Sequence, residues 1–386
     1  MTLRFHWFLP TTGDSRALVG GGHGMPRGVG RPQPRPGTAD QVRPPDIDYL
    51  AQIARSAEQL GFEAVLTPTG TWCEDAWLVT AALLRETSRL KFLVAFRPGF
   101  VSPTLAAQMA ATYQRISRGR LLLNVVTGGE SAEQRRFGDH LPHAERYART
   151  DEFLTIVRGA WTGEPFDFKG EHYHVEGALV ARPPEPRPLL YFGGSSQAAG
   201  PVAARHVDVY LTWGEPPDQV AEKIAWIRGL AAEQGRELRF GIRLHTISRD
   251  TSAAAWAEAG RLLERLDPAH IEQAQRTLAA SESVGQRRMR QLHEKYRKSG
   301  APRDLEIHPG LWAGVGLVRS GAGTALVGSH TEVADLVEQY AQLGIEEFIL
   351  SGYPHLEEAY WFGEGVLPEL RRRGLTGDPL EAQAAV

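Results

Sequence analysis

The chain predicts an α/β fold of the (β/α)8 TIM-barrel class, and three observations lead there. Strand-like and helix-like segments alternate along the 386 residues, and eight such pairs can be counted. No Gly-x-Gly-x-x-Gly turn follows the first strand, which counts against an open doubly wound sheet. Two long stretches interrupt the alternation after the ends of predicted strands one and seven, the side where barrel enzymes build their chemistry.

Leu3–Leu9, rich in Phe and Trp, is the first strand. Asp46–Leu60 follows as a helix, with Ile47, Leu50, Ile53, Ala54, Ala57 and Leu60 near helical spacing. Strand two is Phe62–Thr67, followed by the helix Asp75–Thr87. Strand three, Lys91–Phe96, leads to the helix Thr104–Ser117, and strand four, Leu121–Val126, to a long helix near Glu145–Trp161. Phe166–Val175 then interrupts the alternation as a hairpin-like excursion, an insertion belonging to the fourth unit. Strands five to eight are Leu189–Phe192, Val207–Thr212, Phe240–Ile247 and Glu347–Leu350. The Gly-, Pro- and Arg-rich stretch 12–45 reads as a loop insertion after strand one, with Gly20–Gly24 as flexible linker. Residues 251–319 read as a helical insertion with a mobile lid after strand seven. All of this is expected to form one domain spanning 1–386.

Composition narrows the class. A hydrophobic fraction of 42% is ample for one large core. A net charge of −3 gives no strong pull toward nucleic acid or an anionic membrane. One cysteine cannot form an internal disulfide, which fits a reducing compartment. No apolar run approaches the roughly 18 residues that a membrane span needs. No basic n-region followed by an apolar h-region is present near the start. A soluble, cytoplasmic protein is expected.

The most informative short stretch is Phe240-Gly-Ile-Arg-Leu-His-Thr-Ile247. Alternate residues of a strand share a face, so Arg243 and His245 project together, opposite Phe240, Ile242 and Leu244. A guanidinium beside an imidazole makes an anion site with a titratable neighbour. Other polar strand ends should meet the pair at the barrel mouth. These are Thr67 running into Cys73, Asn124 to Thr127, Gly193-Gly194-Ser195-Ser196, Thr212-Trp213-Gly-Glu215, and Ser351-Gly-Tyr353-Pro-His355. Gly194, Ser195 and Ser196 can offer N–H groups and hydroxyls to a phosphate at a helix N-terminus. Cys73 precedes Glu74 and Asp75 at a helix start, where the helix favours a thiolate and the carboxylates oppose it. His172 and His174 can form a metal pair, but no third ligand stands out and no metal is expected. The basic run Gln286–Arg303 is a solvated face or, beside an anionic substrate, a closing lid.

Several longer motifs carry a family resemblance: His6-Trp-Phe-Leu-Pro10, Pro68-Thr-Gly-Thr-Trp-Cys-Glu-Asp-Ala-Trp77, Asn124-Val-Val-Thr-Gly128, Tyr191-Phe-Gly-Gly-Ser-Ser196 and Tyr210-Leu-Thr-Trp-Gly-Glu-Pro-Pro217. Phe240–His245, Leu311–Arg319, Gly321–Gly328 and Ser351–Tyr360 extend it. Together they resemble the FMNH2-dependent alkanesulfonate monooxygenases of the bacterial luciferase-like superfamily, from about residue 3 to about residue 370. The resemblance implies a two-component system. An NAD(P)H-dependent FMN reductase supplies FMNH2, O2 adds to it as a peroxyflavin, and an organosulfonate is cleaved to an aldehyde and sulfite. A homodimer or homotetramer is also implied.

By the same resemblance, Arg243, His245, Arg319, Tyr353 and Cys73 are the catalytic set, and Trp213 and His355 join the two arginines around the substrate. Thr67, Asn124, Thr127, Arg146, Tyr147, Gly194, Ser195 and Ser196 are expected to hold FMN. Arg243 and Arg319 suit a permanently charged sulfonate, and His245 suits proton transfer, with two guanidinium groups favouring its neutral form. Three departures sit where substrate is expected. Thr12 stands where the family usually has His in Pro-Thr-His-Gly-Asp, the glycine-rich loop is long, and extra residues lie around Tyr296–Pro302. They leave open a sugar sulfonate such as sulfoquinovose, a sulfone or heterocycle as substrate, or a non-catalytic flavin or anion binder.

Overall fold

The computed structural model describes residues 2–18, 42–294 and 301–377. Eight strands close a parallel barrel in the order β1 (Arg4–Phe8), β2 (Ala64–Thr67), β3 (Lys91–Phe96), β4 (Leu121–Val125), β7 (Leu190–Phe192), β8 (Val209–Trp213), β9 (Arg239–Arg249) and β13 (Ile345–Ser351). β13 pairs back onto β1 through Phe5↔Phe348 and His6↔Ile349, and β8 meets β9 through Trp213↔Arg243. The (β/α)8 barrel predicted above is the fold observed. The excursion in the fourth unit is an antiparallel hairpin of β5 (Phe166–Lys169) and β6 (His174–Ala178).

Strand parity sorts the core into two layers. Phe8, Ala64, Leu66, Leu93, Leu122, Tyr191, Val209, Leu211 and Ile349 pack together inside the barrel. The alternate residues, among them Trp7, Val65, Phe92, Leu123, Phe240, Ile242, Leu244 and Phe348, pack outward against the helices. The first helix, α1 (Ile47–Leu60), shows how local sequence sets its bounds. Asp46 accepts from Tyr49 N at 2.8 Å as N-cap, and Gly61 adopts φ 93° to end the helix.

The region after β9 differs from expectation. It begins with the helices Ser252–Glu264, Pro268–Ala279 and Val284–Glu294, but then forms β10 (Glu306–His308), β11 (Leu311–Trp312) and β12 (Ala325–Ser329). β12 pairs with the second half of β9, from Ala325↔His245 to Ser329↔Arg249. At three and two residues, β10 and β11 are too short to carry a period. β9 is therefore a shared strand of eleven residues. Its first half closes the barrel, and its second half carries the inserted sheet. Arg243 and His245 stand at the changeover. Gly20–Gly24 and Lys295, Tyr296, Arg297 and Lys298 lie outside the described residues.

Candidate active site

Two groups of polar residues meet at the C-terminal mouth of the barrel. The first surrounds a cavity of about 390 Å³. One wall is built by Thr127, Tyr147, Gly193, Gly194, Ser195 and Ser196, which brings five of the predicted cofactor residues together. Gly194 lets the following helix, Ala199–His206, close down, because a Cβ there would lie 2.6 Å from that of Ala199. Its carbonyl accepts from the Tyr210 hydroxyl at 2.6 Å. This wall carries hydroxyls, backbone N–H groups and a helix start, with no carboxylate, which is the donor set a phosphate needs. The opposite wall holds the buried pair Arg97–Glu133 at 2.7 Å, with Trp72 and Arg136 beside it. Ser281 and Ser283 of the link between the second and third inserted helices, with Gly285 and Gln286 of the third, line the cavity as well, and the Trp213 ring packs on Gly285.

The second group lies inside the barrel behind Trp213. Arg243 points inward, with its guanidinium carbon 4.9 Å from the centre of the Phe8 ring. Its Nη1 donates to Leu244 O at 2.6 Å and its Nη2 to Ser351 Oγ at 3.0 Å. Arg319 lies over the Tyr353 ring at 5.2 Å, and its Nη1 has no hydrogen-bond partner among the described residues. Among those residues no carboxylate pairs with either guanidinium. Burial pulls both pKa values down to about 9. For Arg319, repulsion from Arg243 adds to this and attraction to Asp14 partly offsets it.

His245 stacks on Tyr353, with ring centres 5.5 Å apart. Its Nε2 lies 3.2 Å from Ala322 O, a carbonyl that can only accept, so Nε2 carries the proton. Nδ1 then accepts from Ser351 Oγ at 2.7 Å. Burial first, then Arg243 and Arg319, hold its pKa well below the ordinary histidine value. That direction favours the neutral imidazole, and both ring nitrogens are engaged.

His355 is fully buried against Tyr353 and Phe8. Its Nδ1 is 2.8 Å from Asp14 Oδ1, and its backbone N–H donates to Asp14 Oδ2 at 2.8 Å. Asp14 also accepts from the Tyr49 hydroxyl at 2.5 Å. Burial would raise the Asp14 pKa, but His355 and Tyr49 overcome that and hold it below the usual carboxylate value.

Several expectations need correction. Cys73 donates toward Pro68 O and Gly70 O at 3.7 and 3.6 Å, and burial pushes its thiol up to about 12, which favours the protonated thiol over a thiolate. Thr67 has the outward parity of Val65, away from the mouth interior. Arg146 is fully buried and committed to Leu141 O at 2.8 Å, Gly128 O at 3.3 Å and Glu282 Oε2 at 3.2 Å, so it braces the link between the second and third inserted helices instead of facing the cavity. Asn124 has the inward parity of Leu122 but does not line the cavity. Arg288 of the basic run is not simply solvated, since its Nε sits 2.8 Å from the buried Glu215 carboxylate. His172 faces Glu145 and Glu171, and His174 is not part of that group.

Asp14 and Tyr49 join the site without a signal in the sequence, and Ser351 gains a specific role there. Asp14 lay in plain view two residues after Thr12, but its partner is 341 positions away and no spacing reveals it. Ser351 was visible at the end of strand eight, and its link to His245 appears only when β13 pairs with β9.

With fold and site in place, the comparisons are specific. The family model described as "Luciferase-like monooxygenase" matches residues 3–347, and the chain belongs to that family. Among solved structures, it is similar to a riboflavin lyase, RcaE, determined with modified FMN and riboflavin, at 22% identity and a TM-score of 0.75, covering 98% of this chain and 93% of that one. A long-chain alkane monooxygenase, LadA, matches at 19% identity and a TM-score of 0.75 with the same coverage. The EDTA monooxygenase EmoA of Chelativorans sp. BNC1 matches at 18% identity and a TM-score of 0.73, covering 98% and 95%. The resemblance read from the sequence therefore holds at the level of the family. Among the described residues, no helix is long and apolar enough to cross a membrane.

Proposed function

We propose that the protein is a two-component monooxygenase that uses reduced FMN and O2 to cleave an organosulfonate into an aldehyde and sulfite. One observation carries this reading: two buried guanidinium groups, Arg243 and Arg319, have no carboxylate paired with them among the described residues. A buried charge without a counter-ion is costly, and an anionic ligand is what would offset it. A sulfonate stays ionised at any working pH and offers three acceptor oxygens to planar N–H donors.

The donor wall of Tyr147, Gly194, Ser195, Ser196 and Thr127 fits the phosphate end of FMN, and Trp213, which lines that cavity, is the strand partner of Arg243. When bound, reduced flavin supplies the two electrons with which one atom of O2 enters the substrate and the other leaves as water. The protein's own groups do the rest. Arg243 and Arg319 bind and orient the sulfonate. Ser351 and His245 fix the Arg243 fork. Trp213 and the Ser281–Gln286 segment keep water out. A separate NAD(P)H-dependent FMN reductase is the partner this scheme requires.

The test is sulfite release from a panel of short alkanesulfonates and sulfoquinovose, with FMNH2 and O2 supplied. Sulfite from either class supports the reading and shows which substrate the chain prefers. No sulfite from any member, with oxygenation of a neutral sulfone or heterocycle instead, overturns it.

A further inference from the structure

The desulfonation needs a proton acceptor near the sulfonate, and the obvious histidine is poorly placed to serve. His245 gives Nε2–H to Ala322 O and accepts from Ser351 on Nδ1, so taking a proton would break the hydrogen bond that Ser351 donates to the ring. His355 is built differently. Its Nδ1–H is held by Asp14, and its Nε2 is buried without a partner among the described residues. A buried ring nitrogen left open, on a ring that packs on the Phe8 and Tyr353 rings under Arg243 and Arg319, has the form of a general base whose tautomer is fixed from behind.

The segment holding Asp14 is fixed as well. The ends of the long loop after β1 are bridged through Asp14 N→Arg43 O at 2.9 Å and Arg43 N→Asp14 O at 2.8 Å. Gly13 permits the approach at φ 98°, where a Cβ would sit 2.7 Å from Arg43 O. Tyr49 then pins Oδ2 of Asp14, and Arg43 holds the Tyr49 hydroxyl at 3.0 Å while pairing with Glu357. The charged and titratable groups around His355 are thus Asp14 in front of Tyr49 and the Arg43–Glu357 pair, His245 on β9, and Tyr353 with Arg319 across its ring.

We propose that Asp14 is a positioning residue that holds His355 with Nδ1 protonated, so that Nε2 serves as the proton acceptor of the reaction. This rests on the desulfonation reading. Once the carbon bearing the sulfonate carries a hydroxyl, the O–H bond breaks and its proton passes to Nε2. The O–H electron pair becomes the second carbon–oxygen bond, and the carbon–sulfur pair leaves with sulfite. The resulting imidazolium is stabilised by the Asp14 carboxylate.

The test combines ring nitrogen NMR of the flavin-free protein with the pH profile of sulfite release. In the wild type, His355 should report Nδ1–H. Asp14→Asn should move the acid limb of kcat/KM down by about one unit or more. Tyr49→Phe removes one donor from Asp14, leaves the carboxylate in place and should move that limb upward. This variant keeps the test decisive if Asp14→Asn does not fold. His355→Gln should abolish the limb, and His245→Gln should leave it. Normal sulfite release with an Nε2–H tautomer, or with no shift in either variant, overturns the dyad while leaving the desulfonation reading intact. No sulfite from the wild type overturns that reading and the proton step with it.

Discussion

The barrel interior holds two buried polar clusters, one at each end, and they are balanced in opposite ways. At the lower end Glu347 is fully buried and fully matched. His6 Nε2 lies 3.0 Å away, the Tyr191 hydroxyl donates at 2.7 Å, and Arg239 and Arg4 pair with it at 2.9 and 3.4 Å. Burial opposes its ionisation, but His6, Tyr191 and Arg4 win and hold its pKa below the ordinary value. At the upper end Arg243 and Arg319 are also buried but lack a paired anion among the described residues. A cluster with matched charges is complete without a ligand and serves the fold. One with unmatched charges keeps a cost within the fold, and the natural reason is something that binds there.

That contrast can be broken by experiment. The largest effect should come from below: Glu347→Ala leaves His6 and Arg239 facing a hole and should cost about 3–5 kcal/mol in urea unfolding. Because the folded-state pKa of Glu347 is lowered, its contribution is present above the unfolded carboxyl value near ~4.3 and is lost as pH falls through the folded one. Glu347→Gln should flatten that part of the stability–pH curve. A variant at Glu347 that unfolds like the wild type would remove the distinction between the two ends.

Next in size, Arg243→Ala or Arg319→Ala should lower kcat/KM for sulfite release about 10²–10³-fold, comparable to removing one key transition-state donor, with the fold retained. Unchanged turnover would mean that these cations do not meet substrate. Ligand stabilisation is a smaller effect. A sulfonate at a hundred times its Kd should stabilise the wild type by about 2.7 kcal/mol, read as a rise in Tm, and should do nothing for Arg319→Met. The smallest effect has the opposite sign to most substitutions. Without ligand, Arg319→Met should raise stability by about 1 kcal/mol, because it removes a buried charge and an unpartnered Nη1. Loss of stability there would place Arg319 among the structural groups.

Residues whose meaning is local could be read from the sequence. The alternation that defines the barrel and the i, i+2 placement of Arg243 and His245 depend only on neighbours in the chain, and both are present in the structure. What could not be read depends on closure. Asp14 meets His355 only because β1 and β13 pair across the full chain length, and Ser351 meets His245 only through the β13–β9 register. Cys73 and Arg146 mislead for the same reason. Their residue types suit a reactive thiol and a phosphate clamp, but burial favours the protonated form of the first and backbone carbonyls and Glu282 occupy the second.

The difference between the two clusters reduces to whether the upper one is an anion site, and a calorimetric titration in the presence of FMN decides it. A short alkanesulfonate should bind the wild-type protein, the alcohol of the same chain length should not, and the double variant Arg243→Met/Arg319→Met should bind neither. Equal affinity for the charged and neutral ligands, or sulfonate binding retained by the double variant, would contradict it.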